Sequence, residues 1–341
     1  MEPIRTVDDL EARLSEPTPG LLETFGKLSG GIAVLGVGGK MGPTLACMAR
    51  RALDQLGRRD PVVGVARFTA GNLPAQLRQH GVEPITCNLL EREAVRQLPD
   101  LPNIIFMAGQ KFGTSETPEL TWAMNTLAPA YVAEKYRQSR IVAFSTGCVY
   151  PLSPIASGGA REEDELCPPG DYANSCVGRE RIFTFFSNRN RTRVALVRLN
   201  YAIDLRYGIL VDVAQQVWRG EPVDVTMGYV NVIWQRDANA QAIECLAHAA
   251  SPPFCINVTG AETVSIRTLA NRFGELFDRP AQIIGTEAPT AWLSNASKAH
   301  KLFGPPSSGV DQLVVWTADW VRHGGVTLGK PTHFEVRDGK F

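Results

Sequence analysis

Seven short apolar runs, interleaved with stretches of helical period, constrain this chain more than any other feature of its sequence. They are IAVLGV (32–37), PVVGVA (61–66), PITC (84–87), NIIFMAG (103–109), RIVAFST (140–146), RVALVRL (193–199) and FCINVTG (254–260). Helical periodicity fills the gaps over 41–55, 73–80, 117–138 and 172–188. Runs that are apolar throughout, rather than alternating, belong to strands buried on both faces, and parallel strands need crossovers of about this length. The pattern predicts an α/β fold: a doubly wound parallel sheet of the Rossmann kind, with residues 30–200 as the dinucleotide-binding domain. Residues 1–29 read as a helical extension. Residues 201–323 read as a smaller α/β lobe covering the carboxyl edge of the sheet, and 324–341 as a tail, with strand 254–260 free to rejoin the main sheet.

The turn after the first run is the first candidate site. GVGGKMG places Gly36, Gly39 and Gly42 three residues apart, directly between a buried strand and a helix. Glycines there permit a tight turn and bring backbone N–H groups and a helix N-terminus up to a pyrophosphate. A dinucleotide is the expected ligand, with Gly36, Gly39, Lys40, Met41 and Gly42 around it. At the end of the second run a carboxylate would hold both ribose hydroxyls of NAD. GVARFTAGN offers Arg67 instead, and Arg67 with Lys40 favours the 2′-phosphate of NADP.

Composition narrows the remaining classes. The chain has 35 basic and 35 acidic residues, so no net charge points to nucleic acid or a membrane surface. Seven scattered cysteines without a C-x-x-C pair, and five dispersed histidines, argue against a disulfide framework or a metal site. No run approaches the ~20 apolar residues needed to cross a bilayer, and Met1 opens a polar, acidic segment rather than a secretory pattern. A soluble, cytoplasmic protein is expected.

The second candidate site is DYANSCVGRERIF (171–183). Tyr172 and Cys176 are one helical turn apart and share a face. A tyrosine so placed can move a proton, yet a neutral thiol does not lower a phenol's pKa from about 10. With the strands and the glycine loop in place, the chain resembles the extended short-chain dehydrogenase/reductase family, of the NAD-dependent epimerase/dehydratase type, from about residue 32 to residue 323. GVGGKMG matches the cofactor loop and ITCNLL the third-strand segment, with Asn88 and Leu89 near the adenine. IIFMAGQ matches the fourth strand, with Ala108 and Gly109 under the cofactor and Gln110 beyond it. WAMNTLAPAYVAE places Asn125 at the family's asparagine. FSTGCVY places Thr146 at the Ser/Thr that hydrogen-bonds substrate, followed by Cys148, and DYANSC resembles the Y-x-x-S-K helix, with Tyr172 as the catalytic tyrosine.

The same resemblance exposes departures. Cys176 stands at the family's lysine, whose ammonium holds the nicotinamide ribose and lowers the tyrosine pKa. Tyr201, after Asn200, replaces a second asparagine on the substrate side, Arg236 replaces an acidic residue in QRDANAQAI, and Gly147-Cys148 replaces the acidic pair of many dehydratases. Lys111, in the loop after the fourth strand, is the candidate replacement cation. Arg179, seven residues after Tyr172, is expected at a surface or interface, about 10 Å further along the helix. The resemblance implies an NAD(P)-dependent epimerase or dehydrogenase. It would pass a hydride at a carbinol carbon of a sugar-like substrate, with Tyr172, Thr146 and Lys111 as the catalytic set and Gln110, Cys148, Asn200 and Tyr201 on the substrate side. The contrasting reading is an NADP(H)-binding sensor or scaffold that retained the fold without turnover. Long apolar faces on helices 117–138 and 172–188 imply, by the same resemblance, a homodimer.

Overall fold

The computed structural model describes residues 4–340 apart from Ala70 and Phe112. Its centre is a seven-stranded, wholly parallel sheet. The strands β1 (Ile32–Leu35), β2 (Val62–Ala66), β3 (Glu83–Thr86), β4 (Asn103–Phe106) and β5 (Arg140–Thr146) are joined by strands Arg193–Leu199 and Phe254–Val258. The spatial order runs from Phe254–Val258 through Arg193–Leu199, β5, β4, β1 and β2 to β3. Chain order reverses between β1 and β4, so a crevice opens over the carboxyl ends of those two strands. The central runs are buried residue for residue, as strands with helices on both faces require. Phe254–Val258 pairs with Arg193–Leu199 at the sheet edge.

Two local features depart from the periodicity. The stretch 117–138 is not one regular helix. It runs as an α-helix over Pro118–Trp122, widens into a π turn over Ala123–Leu127, and resumes over Ala128–Lys135. π turns are rare insertions that re-aim side chains, and this one contains the fully buried Asn125. The extension before β1 is also more than a lead-in. Its helix α1 (Val7–Leu14) starts at a capping box, in which Asp9 N donates to Thr6 Oγ1 and Thr6 N donates to Asp9 Oδ2, both at 3.0 Å. Leu10 and Leu14 of α1 enter the apolar core of the small lobe, beside Ile209 and Val213. Leu21 and Phe25 of α2 (Pro19–Lys27) enter the core of the sheet, beside Ile32 and Leu45. Arg236 holds the turn between α1 and α2 through the carbonyls of Glu16 (3.0 Å) and Pro17 (3.3 Å). Arg236 therefore anchors the extension.

The tail is equally structured. Leu328 N donates to the Arg206 carbonyl (2.9 Å), and Thr332 donates to Asp212 Oδ2 from both N (2.8 Å) and Oγ1 (2.6 Å). Phe334 is buried in the lobe core, Trp292 Nε1 donates to the Val336 carbonyl (3.0 Å), and Arg337 grips Thr290. No helix among the described residues is long and apolar enough to cross a membrane. Leu14→Ala is expected to lower stability by about 2–5 kcal/mol, the range for truncating a fully buried leucine. Urea unfolding of the full chain checks it, and a midpoint equal to the parent's would show that α1 is not part of the lobe core.

Candidate active site

The glycine turn closes on β4. Gly36 has φ +94°, and a Cβ there would lie 2.5 Å from Ala108 N, so a side chain would prise β1 from β4. Gly42 opens α3 (Gly42–Gln55) with no room for a Cβ beside the Val37 carbonyl. Beyond this turn lies a groove of about 990 Å³. Gly36, Gly39 and Lys40 form one wall. Arg67, Asn88 and Leu89 line it from the segments after β2 and β3, and Ala108, Gly109 and Lys111 from the segment after β4. Tyr207 from the small lobe and Leu328 and Lys330 from the tail complete the opposite side. The open backbone at the turn, the groove's length across the β1–β4 crevice and its several cations fit a dinucleotide. Met41, by contrast, is buried at the helix start with its side chain in the sheet core. Asn88 is held locally: Nδ2 donates to Glu91 (3.0 Å), and Oδ1 accepts from Leu90 N (3.2 Å).

Lys40 Nζ lies 3.3 Å from the centroid of the Tyr207 ring. Burial pulls its pKa down to about 7, with nearby Lys111 acting the same way and Asp204 and Asp212 opposing.

The helix Asp171–Asn190 turns a mostly polar face to the sheet. Ser175, Cys176, Arg179, Glu180 and Phe183 are all buried, at the three- and four-residue spacing of one face, with Tyr172 half-buried at its head. Each finds partners. Ser145 Oγ donates to Glu180 Oε1 (2.5 Å), and Glu180 Oε2 meets Arg198 Nη2 at 2.8 Å. Phe183 packs edge-on to Phe106. Asn125 Nδ2 donates to Ser175 Oγ (2.8 Å) and to the Gln110 carbonyl (3.2 Å). Its Oδ1 accepts from Gln110 N (3.2 Å) and from Arg179 Nη2. Those four bonds exhaust a carboxamide. Through them Asn125, expected beside a cofactor, clamps the loop after β4 to the tyrosine helix. Arg179, expected at a surface, is 6% exposed and donates through Nη1 to the Phe144 carbonyl (2.8 Å).

Tyr172 packs against the small buried cluster that contains Cys176. Burial, then the Cys176 and Cys148 thiols, push the phenol well above its ordinary range, while Arg179 pulls it back. Burial also raises the Cys176 thiol against the pull of Arg179. Lys111 Nζ is 5.9 Å from the Tyr172 ring centroid and donates to the Thr332 carbonyl (3.4 Å). Burial lowers its pKa, opposed by Cys148, Cys176 and Glu335.

Thr146 ends β5, accepting from Cys148 N (3.1 Å), and the tyrosine helix packs on the turn it begins. On the substrate side, Gln110 Nε2 donates to Thr117 (3.3 Å), and Asn200 Nδ2 donates to Asn231 Oδ1 (3.3 Å) and the Trp292 carbonyl (3.1 Å). Tyr201 takes a left-handed backbone, φ +42°, and is half-buried near Cys148 and Glu335. Residues the sequence reading passed over are Ser175, Glu180 with Arg198, and the tail. Only the first two were signalled, by their spacing from Tyr172.

A glycine-turn groove at the switch point of a parallel sheet, ending beside a helix-borne tyrosine, defines the extended short-chain dehydrogenase/reductase class. The chain belongs to the NAD dependent epimerase/dehydratase family, whose model matches residues 32–201. No curated protein matches it in sequence. Among solved structures it is similar to the UDP-glucose 4-epimerase of Thermus thermophilus in complex with NAD (18% identity, TM-score 0.68, 99% of that chain). It is also similar to the UDP-glucose 4-epimerase of Thermotoga maritima with UDP-glucose (14%, 0.69, 99%). A third is the dTDP-glucose 4,6-dehydratase of Bacillus anthracis str. Ames in complex with NAD (16%, 0.71, 97%). Each match covers 86% of the present chain. At these identities the likeness is one of fold.

Asn125→Leu is expected to cost roughly 1–3 kcal/mol, since it strands buried partners on the loop after β4 and the tyrosine helix. Chemical denaturation reads the loss, and a parent-like midpoint would remove the clamp.

Proposed function

We propose that the protein is an NAD(P)-dependent epimerase or dehydrogenase that passes a hydride at a carbinol carbon of a sugar or sugar-derived substrate. The observation that carries this reading is the continuity of the groove, from the glycine turn at Gly36 to Lys111, whose ammonium lies 5.9 Å from the Tyr172 ring. A bound nicotinamide would supply the hydride acceptor. Gly36, Gly39 and Lys40 would hold its pyrophosphate, with Asn88 and Leu89 at the adenine end and Ala108 and Gly109 beneath the other. Tyr172 would hold and move the hydroxyl proton, Thr146 would orient the substrate oxygen, and Lys111 would contribute positive charge from the substrate side. Cys148, Gln110 and Tyr201 would shape that side. Asn200, engaged by Asn231 and Trp292, would position it rather than bind.

The resembled structures are recorded with NAD. Arg67 and Lys330 on the groove, and the lack of an acidic residue at the end of β2, favour NADP here. Exposed Leu120, Trp122, Leu127 and Phe185 on helical segments 118–135 and 171–190 support a homodimer, and a cytoplasmic setting accords with the free cysteines.

Tyr172→Phe should abolish turnover, a loss of at least about a hundredfold for a proton-moving group, while dinucleotide binding persists. Turnover that survives in Tyr172→Phe, or purified protein that binds neither NADP nor NAD, overturns this reading, whereas dinucleotide binding by a parent protein that turns over no sugar-like substrate replaces it with the sensor or scaffold. A pH dependence follows from Lys40. In the folded chain its amine loses its proton near pH 7, whereas the unfolded chain keeps it to about 10. This site's contribution to unliganded stability therefore grows as pH rises through that window. A phosphate beside Lys40 restores the proton, so NADP affinity should fall from pH 7 to pH 9, by up to about tenfold per unit. Calorimetric titration across that range checks the slope, and Lys40→Met should flatten it.

A further inference from the structure

The guanidinium of Arg179 is a buried cation without an anion. Among the described residues no carboxylate lies within 4.0 Å of it, because the adjacent Glu180 is engaged by Arg198 and Ser145. Its Nη1 and Nη2 go to neutral oxygens, of Phe144 and Asn125, and its Nε has no hydrogen-bond partner. An unpaired charge in the interior is costly, and such groups concentrate at functional sites. The surroundings say where. A Cβ on Gly109 would collide with Nη2, so the guanidinium lies directly against a residue that lines the groove. It is on the same helical face as Tyr172 and Cys176, and long helical side chains reach back toward the N-terminus, which shortens the axial gap to the phenol. One turn after Tyr172, where the resemblance implies a lysine, the chain has Cys176.

We propose that Arg179 is the fixed cation of this site, a positioning residue that stabilises the deprotonated form of Tyr172. The proposal rests on the enzymatic reading given above. The groups facing the phenol are Cys176 on its own helix, Cys148 on the turn after β5 and Lys111 on the loop after β4, with Tyr201 and Glu335 one contact further out. Of the two cations, Lys111 is half-buried and tied to the tail carbonyl of Thr332, whereas Arg179 is held by the sheet itself. Arg179 thus supplies a field that does not depend on how the tail lies, and Lys111 supplies one that does.

The test reads the phenol directly. Protein labelled with 13Cζ-tyrosine is titrated by NMR with NADP+ bound, and the Tyr172 resonance is assigned by its loss in Tyr172→Phe. Arg179→Gln and Arg179→Met should move the Tyr172 transition up by about one pH unit or more, while Arg179→Lys, which keeps the charge, should leave it within a few tenths. An unchanged transition in the Gln and Met variants overturns the proposal. So does an equal disturbance in all three variants, which would mark a packing role only, or a parent phenol that shows no transition anywhere in the pH range over which the protein stays folded. The outcome is separable from the fate of the enzymatic reading. Normal turnover by Tyr172→Phe would sink that reading with the Arg179 effect on the phenol still measurable, and an unmoved phenol would sink only the present inference.

Discussion

A layer of buried polar bonds between the sheet and the tyrosine helix is the constraint on which this structure turns. Most helices that cover a parallel sheet do so with an apolar stripe, and slipping by a turn costs them little specificity. Here Ser175, Arg179 and Glu180 must meet Asn125, the Phe144 carbonyl, Ser145 and Arg198 at hydrogen-bond distance, or leave charges and amides stranded in the interior. The bonds admit one register. That register sets Tyr172 at the head of the helix and ties the loop carrying Gly109, Gln110 and Lys111 to the same scaffold through Asn125.

Seen from that layer, the neighbour of Tyr172 on its own helix is a thiol rather than a cation, and positive charge is kept elsewhere. Cys176 is wholly buried and packs with Val149, Tyr150 and Ala160, as a small apolar residue would. Positive charge enters the neighbourhood from two other directions, Arg179 against Gly109 and Lys111 on the loop after β4. The phenol of the unliganded protein nevertheless holds its proton tightly, because burial outweighs the pull of the arginine.

Much of the frame was legible in the order of residues. Continuous apolar runs announced buried parallel strands, and the glycine spacing announced the turn at β1, because each follows from short-range geometry. The limits of that reading are equally physical. Seven residues of helix separate Arg179 from Tyr172, which points to a surface place in the sequence alone, and only the partner carbonyl on β5, distant in sequence, reveals otherwise. The π turn at Asn125 has no compositional signature in WAMNTLAPA. The tail, with its glycines and mixed polarity, gave no periodic signal at all, and its path is dictated by contacts with residues 206, 212, 290 and 292.

That path links the groove to the firmness of the small lobe. Leu328 and Lys330 roof the groove, yet the backbone around them is fastened to Arg206 and Asp212, and Phe334 is sunk in the lobe's own core. Access to the crevice is therefore a property of how well a distant set of helices is packed. Loosening of those helices would also release the segment that bears Leu328 and Lys330.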